Sequence, residues 1–242
     1  MTTPVETKHS ALARPVALAA VLLERYVLSF VFLYLAYSHW HRLTTHSGPE
    51  YDLVRANPLI EILRQVIWMQ FYTFTGVMLL IARRATLLPQ SAKDILVPLV
   101  TTFFGFSYEA IPWFPAGWRT NLCPPPWQGT CVTIGLVLNL TGLVIGIWAA
   151  LSLGRSFGVI VAVRTVIVEG AYRWVRHPIY FGYLFFFAGL VAANCSPALL
   201  LLAAIQVILL AYRARLEEAR LIEASPDYVA YQKRTGFIFP KL

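Results

Sequence analysis

A chain of 242 residues that is 58% hydrophobic and only 13% charged carries far more apolar surface than the core of one soluble domain can absorb, so most of it must face lipid. The formal net charge of +8 is accounted for by membrane topology and attraction to anionic lipid, and it does not call for a nucleic-acid partner. Three scattered cysteines make no metal site.

In chain order, the polar residues 1–10 are followed by a long apolar run without a clear small-residue cleavage site, so no cleavable signal is expected and the first span is retained. Runs of about 20 apolar residues, enough to cross roughly 30 Å of hydrocarbon, fall at 15–37, 59–82, 95–114, 130–153, 178–194 and 197–212. The expected fold is all-α, a polytopic membrane helical bundle of about six transmembrane helices. Glu24 and Arg25 interrupt the first run; as neighbours on a helix they point in different directions, so each is expected to bridge to a separate partner. His39, His41 and His46 are placed in one outer loop, where no acidic residue has metal-site spacing, and no metal is expected. The fourth run contains Gly142-x-x-x-Gly146, a pattern of close helix contact, either within the bundle or in a dimer.

The fifth and sixth runs are separated only by Cys195 and Ser196, so they must be antiparallel neighbours. This C-terminal hairpin brings the residues before it and after it to the same side of the membrane. If the N-terminus is cytoplasmic, most Lys and Arg lie inside, from Lys8 to Lys241, and only Arg42, Arg55 and Arg119 lie outside. Both termini are therefore expected in the cytoplasm, with Trp40, Trp113, Trp118 and Trp127 in an outer aromatic belt. Cys123 and Cys131 are the cysteines closest in sequence near the outer face, where they can pair or remain apart.

The chain divides into residues 1–129, with three spans, and residues 130–242, where polar residues become concentrated. The linker 154–176 is studded with Val159, Ile160, Val161 and Val163, so it either folds back over the helices as a lid or anchors in the interface. Arg173-Trp174-Val175-Arg176-His177-Pro178-Ile179-Tyr180-Phe181-Gly182 closes it. Pro178 suits the first turn of a helix, which puts His177 at the N-cap beside free N–H groups that favour an anion. Gly182 leaves room for a flat group to approach the backbone. Past the sixth run, Arg213 and Glu217 share a helix face and Glu218 is turned about 100° away.

The string from Glu169 to Gly182, with the later Arg-x-Arg-x-Glu-Glu and Tyr228-x-x-Tyr231-x-x-Arg234, resembles the signature of the isoprenylcysteine carboxyl methyltransferase family and its phospholipid methyltransferase relatives. Ala171 stands where a proline is usual, and Ser225-Pro226 where Phe-Gly is common. The resemblance implies S-adenosyl-L-methionine held without a Rossmann domain, by Tyr172, Arg176, His177, Tyr180, Gly182, Glu217 and Glu218. It further implies Arg213 and Glu217 as catalytic residues and a lipophilic or lipid-linked acceptor, such as the carboxylate of a prenylated cysteine. Two other classes compete: a membrane reductase binding NADPH, although Ile179 and Tyr183 stand where such proteins carry Asn and an acidic residue, and a transporter or scaffold lined by Glu24, Arg25 and Glu109. The acceptor's identity and the oligomeric state are left open by the residues.

Overall fold

The computed structural model describes residues 13–45 and 58–241. Lys8, Arg55 and His46 lie outside the described residues, as does the side chain of Glu109. Helix α1 (Arg14–Leu23) runs through one π-helical turn (Glu24–Leu28) into α2 (Ser29–Thr45), and α3 (Pro58–Ile81) returns beside it. Their register is antiparallel: Phe32 stacks on Tyr72 with centroids 6.3 Å apart, and His39 Nδ1 meets Gln65 Oε1 at 2.5 Å. Continuing that register, Arg25 donates from Nε and Nη2 to the carbonyl of Leu80, both at 3.0 Å.

Two expectations are corrected here and one is refined. Glu24 and Arg25 do fall within the first apolar stretch, Arg14–Thr45, at its π turn and level with the C-terminal end of α3. His39 and His41 belong to α2 and not to an outer loop, because that helix continues to Thr45. The third run is not one helix: α4 (Lys93–Phe104) contains Pro98, stops at Gly105, and is succeeded by a 3₁₀ turn (Ser107–Trp113) that contains Pro112. A proline removes a helix donor and crowds the preceding turn, and 12 helical residues reach only about 18 Å.

After the short α5 (Ala116–Arg119), α6 (Gln128–Leu153) and α7 (Pro178–Ala193) pack along their length. Glycine makes this possible. A Cβ on Gly142 would sit 2.5 Å from the carbonyl oxygen of Gly182, and one on Gly135 would sit 2.6 Å from that of Gly189, so the backbones approach where no larger residue fits. Asn139 Nδ2 locks the pair by donating to the carbonyl of Phe186 at 2.7 Å. The Gly142 pattern thus serves the bundle itself.

Helix α8 (Pro197–Ala224) starts with Ser196 capping the amide of Leu199 and runs unbroken for 28 residues, past the expected end at Tyr212. It touches α7 far less extensively than α6 does, so space opens between the legs of the hairpin. A last helix, α9 (Tyr228–Arg234), folds the tail back. Three stretches, Arg14–Thr45, Pro125–Ser156 and Pro197–Ala224, are long and apolar enough to cross a membrane, with shorter apolar helices at Gln65–Ile81 and Pro178–Ala193. The described residues contain no strand, only isolated bridges between Leu87 and Val163 and between Val175 and Gly236. The result is an all-helical membrane bundle.

At one end of it Cys123 and Cys131 are paired and Cys195 is not. Among described residues, Arg42 and Arg119 lie toward that end. Arg83, Arg84, Arg155, Arg164, Arg173, Arg176, Arg220, Lys233 and Arg234 gather toward the other, where the linker crosses.

Candidate active site

The linker begins and ends with glycine in the left-handed region, Gly154 at φ 53° and Gly170 at φ 60°, where a side chain would be strained. Between them Val159, Ile160, Val161 and Val163 are buried, so the segment folds inward as a wall. Glu24 holds it there by accepting from the amides of Val159 and Ile160 and by pairing with Arg164 Nη2 at 2.6 Å. Glu24 and Arg164 are both almost fully buried, a placement tolerable only because the charges are paired and hydrogen-bonded. Adjacent Glu24 and Arg25 do reach different partners, as their spacing predicts.

His177 is the N-cap residue of α7 with Pro178 at the first position, as expected, although its side chain makes no capping bond. Its ring instead stacks on Tyr180, centroids 5.2 Å apart and planes 4° apart, with Phe237 against its edge. Nδ1 lies 3.7 Å from Glu217 Oε2, and Nε2 lies 3.4 Å from Glu218 Oε1. That second approach is out of line, leaving Nε2 buried with no hydrogen-bond partner among the described residues.

Two carboxylates on the last turns of α8 organise the rest. Glu217 accepts from Tyr180 Oη at 2.5 Å and from Arg213 Nε at 3.0 Å. Arg213 also donates to Thr102 Oγ1 at 3.1 Å and to the carbonyl of Val159 at 2.6 Å, and its guanidinium lies 5.4 Å from the centre of the Tyr180 ring. One side chain therefore ties α8 to α4, α7 and the wall.

Glu218 faces the other way. It receives Arg176 Nε at 2.5 Å and Gln232 Nε2 at 3.0 Å. Arg176 also donates to the carbonyls of Gln232 and Thr235 at 2.9 and 2.6 Å, and its amide and that of His177 bond to the carbonyls of Gly236 and Phe237. The tail is thus laced to the linker, and Tyr231 Oη adds a bond of 2.5 Å to the carbonyl of Tyr172. Burial pushes the Tyr231 phenol up to about 12 and those of Tyr172 and Tyr228 further still, with the Glu217 charge adding to the effect at Tyr172. These phenols stay neutral donors at physiological pH.

One cavity of about 220 Å³ joins these groups. Its polar end is lined by Tyr172, Arg176, His177, Tyr180, Arg213 and Glu217, and its apolar arm runs between Phe32, Trp68, Phe71, Phe106 and Phe186. All the residues picked out by the sequence converge there or beside it, with two qualifications of role. Glu218 is turned toward the tail. Gly182 touches the cavity, but the position a Cβ would take is filled by the backbone of Gly142 and Gly146, so its glycine serves helix contact. Sequence reasoning missed Thr102, Gln206 and the clasp in which Asp94 receives Arg220 Nη2 at 2.8 Å; an acidic residue, Asp94, in the first turn of the otherwise apolar α4 is the signal that was available for the last.

No curated protein matches the chain. Residues 134–223, which span nearly all of α6, the linker, α7 and α8, match the model of the isoprenylcysteine carboxyl methyltransferase (ICMT) family, and in that segment, with its paired motifs and apolar helices, the chain is similar to this family.

Proposed function

We propose that the protein transfers a methyl group from S-adenosyl-L-methionine to a lipophilic acceptor, a carboxylate such as that of a prenylated cysteine. The observation that carries this reading is the single cavity that joins a charged, hydrogen-bonding end to an aromatic arm. The residues fit such a donor: Glu217 is the acid left partly open to the cavity, with a side chain 24% exposed, and it suits an ammonium or a ribose hydroxyl. His177 has a buried ring nitrogen to offer, and Tyr180 and Tyr172 add phenols.

The donor supplies an electrophilic methyl group on a sulfonium. The chain's own part is placement. Arg213, fixed by Glu217, Thr102 and Val159, keeps further N–H groups for an anionic acceptor at the mouth of the apolar arm. The valine-rich wall and the aromatic lining exclude water, which strengthens attraction between opposite charges before they are annihilated in the transfer. A carboxylate acceptor needs no proton removed, so no general base is required.

Isothermal titration of the purified protein is expected to show about one equivalent of S-adenosyl-L-methionine bound and no NADPH. Tight NADPH binding without response to the methyl donor would replace this reading with a reductase. Membrane extracts incubated with isotopically labelled donor, analysed by mass spectrometry, identify the acceptor. The clustering of basic side chains at the site end, with paired Cys123 and Cys131 at the far end, supports a cytoplasmic site and cytoplasmic termini. Labelling of a C-terminal tag by an impermeant reagent in intact cells would reverse that orientation.

A further inference from the structure

Gln206 stands on the inward face of α8, in the row Leu199, Leu202, Gln206, Leu210, Arg213. It is 3% exposed and lines the cavity. Its Nε2 donates to the backbone carbonyl of Thr101 at 3.2 Å. That contact fixes which way the amide points, since an oxygen turned toward a carbonyl would be repelled. Oε1 is thereby left buried with no hydrogen-bond partner among the described residues.

A buried carbonyl oxygen without a partner is costly, and here the surroundings are the aromatic arm, where an apolar residue of similar size would fill the space without that cost. An amide kept at this point is explained by a ligand that completes it. We infer that the acceptor carries a hydrogen-bond donor, a hydroxyl or an N–H, on its otherwise apolar body, and that Gln206 Oε1 receives it. Gln206 and Arg213 are seven residues apart, which puts them on one helix face and about 10 Å apart along the axis. The donor group thus stands about that far from the anionic end of the molecule. A plain hydrocarbon chain does not meet this requirement, so the inference narrows the proposed acceptor to one whose apolar part is more than an unsubstituted prenyl group. The inference rests on the reading of the cavity as an acceptor site and names a further feature of the molecule it takes.

The test uses two probe acids, 10-hydroxydodecanoate and dodecanoate, whose binding to the detergent-purified full chain is measured by calorimetry with and without the Gln206→Leu substitution. The ratio of their affinities is expected to move about fivefold to tenfold toward dodecanoate in the variant, the size of one buried hydrogen bond. Gln206→Met, which retains length without the amide, is expected to do the same, so a folding defect peculiar to one variant does not decide the matter. An unchanged ratio, or no binding of either acid to the parent, overturns the inference. Neither acid needs the methyl donor in order to bind. A failure to bind S-adenosyl-L-methionine with the ratio still shifting would therefore remove the methyltransferase reading and leave the Gln206 subsite standing.

Discussion

Arg213 and Arg220 lie two turns apart on α8, and each is held by a carboxylate, yet their surroundings differ. Arg213 is 7% exposed at its side chain and its partner Glu217 opens into the cavity. Arg220 is 22% exposed and pairs with Asp94, itself 1% exposed, which also ties down the turn before α4 by accepting from the amides of Gln90 and Ser91 at 2.8 and 2.9 Å. Gln90 and Glu223 complete that second cluster. The same pairing of residue types thus builds a cavity lining in one place and a fastener in the other. What separates them is whether the carboxylate still has an open side.

The sharpest way to break the comparison is Arg213→Ala. It removes the buried member of the pair, leaves the partly open Glu217 beside Tyr180 without its cation and frees Thr102 and the wall, so a loss of about 3 kcal/mol in stability is expected, read as a lowered Tm together with loss of methyl transfer. Glu217→Gln comes next: affinity for S-adenosyl-L-methionine is expected to weaken by about 1–3 kcal/mol in a calorimetric titration, with far less change in Tm. Asp94→Asn should do the reverse. A stability loss of about 1–2 kcal/mol is expected from weakening the charge-assisted bonds to Arg220 and the two amides, while donor affinity stays at the parent value; a fall in affinity would place Asp94 in the site and erase the distinction. The smallest effect belongs to Thr102→Val, which removes one bond to Arg213 and is expected to cost about 1 kcal/mol, seen as a modest fall in turnover at unchanged donor affinity.

The legibility of the sequence follows the same division. The hairpin was readable because a two-residue connection leaves no other arrangement, and the convergence of His177, Tyr180, Arg213 and Glu217 follows from it. Helix breaks were harder to read. Apolar composition alone made 95–114 look like one span, while Pro98, Gly105 and Pro112 carried the contrary signal. Gly182 packs against Gly142 and Gly146 while still touching the cavity, and in the sequence a glycine that admits a ligand and a glycine that admits a helix are indistinguishable until the neighbour is known. Gln206 lay inside an apolar run, and only the orientation of its amide toward Thr101 distinguishes it from a packing residue.

Helix α8 carries both Gln206 and Arg213 without a kink between them. A continuous helix neither stretches nor folds, so these two side chains are held roughly 10 Å apart along the axis. The backbone there acts as a ruler. On the proposed reading, an acceptor is measured by the distance from its polar waist to its anionic end, and chain-length selection needs no moving part.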